Sequence, residues 1–202
     1  MRSTSMWFWA ALHGAVGGGA ALWAVHSRGA LWAAPVSPLL LPPPWRVPAG
    51  ALLVLALAWT TVRATRLLVT QTHWAARLHL HLRSELLGMS PSQMVLLAGL
   101  SAWSEELLFR AVLGPALGIV GSSALFGLIH AAPRHSYLPR AGWAFGMGLL
   151  LSGLYLTSGT LLAPVAAHWL INYENMQYIC NYDPTPLDID RAPLGNMPNS
   201  EG

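Results

Sequence analysis

The chain has 202 residues, of which 54% are hydrophobic and 9% charged; an ordinary water-soluble domain carries about 25% charge. So few charges cannot cover a soluble fold of this length, and the composition points to membrane helices. The net charge of +3 is the balance of eleven basic residues against eight acidic ones; the basic residues are all Arg and scattered through loops, which reads as topology-setting charge and not as a nucleic-acid surface.

The first apolar run, Met6–Val25, is about 20 residues long, the length of a membrane span. A signal-peptide core is about 7–15 residues, so a span is the better reading. Residues 26–48 contain Pro35, Pro38, Pro42, Pro43, Pro44 and Pro48; that density forbids a regular helix and predicts a loop. A second span is expected over Ala49–Val69, with Arg63 and Arg66 reaching to the interface. In residues 71–88, Trp74, Leu78, Leu82 and Leu86 recur at helical spacing, while Arg77, Arg83 and Glu85 fall elsewhere. That pattern predicts an amphipathic helix lying in the interface.

Ser90-Pro91 is a helix-start signal. It opens a third span to about Leu117, and a fourth follows over Gly118–Ala132, ending at Pro133. His135 falls in the loop that Arg134 and Arg140 bracket. A fifth span covers Ala141–Leu156 and a sixth Thr160–Ile179, with Cys180 at its end. As the only cysteine, Cys180 excludes an internal disulfide and a cysteine-rich metal site. Several of the ten Trp lie near span ends, where they anchor helices at the headgroups. The expected fold is therefore all-α, a polytopic transmembrane bundle of about six spans plus one interfacial helix. It divides into N-terminal spans with a Pro-rich loop (1–70), a helical core (71–180) and a disordered polar tail (181–202). With the N-terminus inside, the inner face receives eight Arg and the outer face Arg28 and Arg46, which favours a cytoplasmic N-terminus.

Glu105, Glu106 and Arg110 fall inside the third span. A charge at the bilayer centre costs at least about 2.5–3.5 kcal/mol, so these three must be paired, hydrated or functional. Glu106 and Arg110 are four apart and share a helix face, which predicts an ion pair. Glu105 is rotated away from Arg110 and is the carboxylate freer to act. His130 ends the run Phe126-Gly-Leu-Ile-His130. His168 and Asn172 are again four apart and point together. Gly121, Ser122, Ser123, Ala163 and Ala167 beside them permit close helix approach. His13 and His26 lack partner spacing and read as structural or interfacial. His79 and His81 face apart on their helix and make a poor chelate.

SEELLFR, FGLIH and HWLIN, in that order on successive helices, resemble the three motifs of the CPBP family of intramembrane peptidases. That family includes the type II CAAX prenyl endopeptidases, the bacterial Abi proteins and the myxosortases. The resemblance covers about residues 71–178, with every motif position filled. It implies that Glu105 and His130 activate a water, that His168 and Asn172 stabilise the oxyanion, and that Glu106, Arg110 and Phe126 support them. The implied substrate is a membrane-anchored protein cut near its C-terminus, in a bacterial inner membrane. No cofactor is required by this reading; the alternative is a zinc-dependent version with Glu105, His130 and His168 as ligands. Two further alternatives are a non-catalytic scaffold or immunity protein and a solute carrier, the last disfavoured by the lack of inverted repeats.

Overall fold

The structure is a computed structural model and describes residues 3–29, 31–34, 39–131 and 138–184. Arg134, His135 and the expected tail from residue 185 onward lie outside these. The described residues form α1 (Ser3–Arg28), α2 (Arg46–Gln71), α3 (His73–Leu86), α4 (Pro91–Glu106), a π-helical segment (Leu107–Leu113), α5 (Gly114–Ala131), α6 (Leu138–Ser158) and α7 (Leu162–Asn181). The described part of the fold is thus an all-α membrane helix bundle. Three helical stretches, Met6–Ser27, Arg46–Gln71 and Pro91–Ala131, are long and apolar enough to cross a membrane.

The third stretch is 41 residues long, but it does not run straight. It starts at a capping box, with Gln93 N–H donating to Ser90 Oγ at 3.3 Å and Ser90 N–H donating to Gln93 Oε1 at 2.8 Å. It passes through the π segment and breaks at Gly118, whose φ of 71° and ψ of 173° are not helical. Phe109 and Phe126, nine residues before and eight after that glycine, meet edge to face with centroids 5.0 Å apart. The chain therefore doubles back at Gly118, where the sequence divides its expected third and fourth spans. The returning arm, 119–131, is about 20 Å long at the helical rise, well short of a bilayer core.

Small residues set the closest crossings. A Cβ on Gly127 would come within 2.8 Å of the Ala141 carbonyl oxygen, and one on Gly148 within 2.9 Å of Ser123 Cβ. These contacts draw α5 and α6 together. Gly17 of α1 receives the Trp103 ring of α4, which would stand 2.2 Å from an added Cβ. Ala20, Ala24, Leu107, Ala111, Tyr155 and Leu161 fill the adjoining core.

The Pro-rich connection between α1 and α2 is tied down in its described part. Ala34 N–H donates to the Gly159 carbonyl at 3.0 Å, Leu41 N–H to Thr157 at 2.9 Å, and Leu161 N–H to Trp32 at 2.8 Å. Helix α3 packs against α2 and α7. Its stripe of Trp74, Leu78, Leu82 and Leu86 lines a cavity of the bundle, so the apolar face of this amphipathic helix is turned toward its neighbouring helices. Arg83 holds α3 to the end of α7 through the Ile179 carbonyl at 2.9 Å and the Cys180 carbonyl.

Candidate active site

The cavity has a volume of about 390 Å³ and lies between α2, α3, α4, α6 and α7, with Phe126 and His130 of α5 also on its wall. Most of its wall is apolar. Glu105 is the single carboxylate among the described residues that line it, and Arg140 the single arginine.

Adjacent positions on α4 give the two glutamates different surroundings. Glu106 is fully buried, and its Oε2 meets Arg110 Nε at 3.0 Å. That contact is ionic and falls outside hydrogen-bond angles. Arg110 is also buried; its Nη2 donates to the Gly148 carbonyl at 3.3 Å and its guanidinium lies 5.1 Å from the Phe126 ring centroid. The pair expected from the four-residue spacing is therefore present. The other oxygen of Glu106 has a partner that the sequence did not reveal: His168 Nδ1 lies 2.8 Å from Oε1. A carboxylate only accepts, so His168 carries its Nδ1 proton and donates it. Its Nε2 is 3.9 Å from Glu105 Oε2.

His130 Nδ1 stands 2.8 Å from the Phe126 carbonyl and, facing an acceptor, donates there. In the neutral ring Nε2 is then the acceptor. Phe126 sits between the two histidines, its ring centroid 4.5 Å from that of His130 and 6.2 Å from that of His168. Asn172 Nδ2 donates to Ser101 Oγ at 3.0 Å. Glu105, His130, His168 and Asn172 all line the one cavity, while Glu106 and Arg110 stand behind it.

Among the described residues no three His, Cys, Asp or Glu side chains are grouped as a metal site, so Glu105, His130 and His168 do not stand together as the ligand set of the zinc alternative.

Three residues near the site are not assigned to it by the sequence. Ser101 and Arg140 both line the cavity. His13 is the third: its Nδ1 lies 2.8 Å from Ser104 Oγ, tying α1 to α4 next to Glu105. Ser101 lies one helical turn before Glu105 and so shares its face, a signal available in the sequence. His13 pairs across 91 residues, and no local pattern announces that.

Fold and cavity together define an integral membrane protein with a polar cluster set inside an apolar bundle. Residues 88–173 match the family model of the type II CAAX prenyl endopeptidases, Rce1-like. Over that segment the chain is similar to this family of CAAX-type endopeptidases, in agreement with the CPBP motifs, and the similarity supports an enzyme of the protease class. No curated protein and no solved structure matches the chain.

Proposed function

We propose that the protein hydrolyses a peptide bond of a membrane-anchored protein near its C-terminus, in a bacterial inner membrane, with its own N-terminus cytoplasmic. In this reading Glu105 takes a proton from water while His130 Nε2 accepts the water's other hydrogen bond. The water oxygen attacks the scissile carbonyl carbon. Negative charge moves to the carbonyl oxygen, where Asn172 Nδ2 and His168 Nε2 donate to it. With Nδ1 engaged by Glu106, His168 donates at Nε2 only as the imidazolium. Collapse of the tetrahedral intermediate breaks the C–N bond, and Glu105 returns its proton to the leaving amine. The apolar wall of the cavity takes the membrane-embedded part of the substrate. Residues 71–180 serve as the catalytic core, residues 1–70 as accompanying spans and residues 181–202 as a solvated tail.

The observation that carries this reading is the division of labour between the glutamates. Glu105 is the one carboxylate on the cavity wall among the described residues, and it shares that wall with His130, His168 and Asn172. Glu105→Gln keeps the shape and removes the base. Its expected effect is a loss of peptidase activity of at least about 100-fold with protein levels unchanged. Comparing membrane-protein C-termini in cells carrying wild-type or Glu105→Gln protein checks it, and identical C-termini would remove the enzymatic reading of Glu105.

A further inference from the structure

We infer that Ser101 is a positioning residue that holds the Asn172 amide with an N–H turned to the reacting carbonyl. The inference rests on the peptidase reading above. Ser101 is buried on α4, one turn before Glu105, and lines the same cavity. Its hydroxyl donates to the Ala98 carbonyl at 3.1 Å. That bond uses its only proton and leaves lone pairs to receive Asn172 Nδ2 at 3.0 Å.

The consequence is a fixed amide orientation. With Nδ2 held on Ser101, one N–H of Asn172 remains for the cavity. A flipped amide would set Oδ1 against Ser101 Oγ, two acceptors in contact, unless Ser101 gave up Ala98. An oxyanion needs a donor, so the flip would put the wrong group toward it. The bond also links α4 to α7 across 71 residues, one helical turn from where Glu105 and His168 approach. Ser101 never touches the substrate in this scheme; it acts through Asn172.

The test uses the full-length protein in detergent with an internally quenched prenylated CAAX peptide as probe. Ser101→Ala is expected to lower kcat about 10- to 100-fold with KM unchanged, since misplacing one oxyanion donor affects the transition state more than binding. In an Asn172→Ala background the same substitution should have no further effect. Should Ser101→Ala fail to accumulate, Ser101→Cys, close in volume but a weak acceptor, is read in its place. Equal kcat in wild type and the Ser101 variant, or an equal fall in both backgrounds, overturns the positioning role while peptidase activity stands. Wild-type protein that cleaves the probe no faster than Glu105→Gln overturns the peptidase reading itself.

Discussion

Glu106 has an ionisable partner on each of its two carboxylate oxygens. It is fully buried and faces Arg110 through one oxygen and His168 through the other. Removing one partner of a buried ion pair leaves an uncompensated charge in a medium that solvates it poorly, at a cost of about 3–5 kcal/mol. Glu106→Gln is thus expected to lower the thermal midpoint in detergent and the amount of protein in the membrane. It should also cut activity, because His168 loses the carboxylate that orients its Nδ1 proton. Glu105→Gln, on the cavity wall, should leave the midpoint near wild type. Unfolding curves of the two variants side by side separate the roles, and matched midpoints would contradict them.

At the scale of elements, the hairpin inside Pro91–Ala131 depends on Gly118. Its φ of 71° with ψ of 173° lies in a region open essentially only to glycine. Nothing stands within 4 Å of the place a Cβ would occupy there, so Gly118→Ala costs backbone strain alone, about 1–3 kcal/mol. A lowered unfolding midpoint with unchanged helix content by circular dichroism is the expected result.

The docking of α3 has its own pH dependence. His79 Nε2 lies 2.9 Å from the Tyr182 carbonyl, and burial holds its imidazole below the ordinary value of 6.5. A lowered value in the folded state means that the unfolded chain binds the proton more tightly. The contribution of His79 is therefore whole above about pH 6.5 and is lost progressively as pH falls below that toward the folded-state value. His79→Gln should show a smaller drop in thermal midpoint between pH 7.5 and pH 5 than wild type. Equal drops would place the acid sensitivity elsewhere.

For the whole molecule, the cavity joins helices far apart in the chain, from α2 to α7. Thr65, Leu68 and Val69 of α2 and Leu78 and Leu82 of α3 share its wall with Ile171 of α7. If the apolar part of the substrate lies there, Leu78→Trp should narrow it and raise KM about tenfold with little change in kcat, the scale of a misfit in an apolar pocket. Steady-state kinetics on the prenylated peptide would register this, and a kcat effect at constant KM would argue for a distorted site.

What the sequence determined by itself was the class of the molecule and the identity of its candidate reactive side chains. Runs of apolar residues announce membrane helices because charge is costly in hydrocarbon, and for the same reason Glu105, Glu106 and Arg110 stand out within one. Four-residue spacing was enough to pair Glu106 with Arg110, since that contact lies within one helical stretch. Only the tertiary structure decided the contacts between helices. His168 meets Glu106 across 62 residues and Asn172 meets Ser101 across 71. The π segment after Glu106, with no mark in the periodicity, shifts the register of Phe109 and Arg110. The apolar stripe of α3 was legible, but its direction was not, because a stripe states only that a face seeks burial. Whether lipid or the protein's own cavity covers that face follows from how neighbouring helices rotate and pack, and periodicity along one helix carries no information about that.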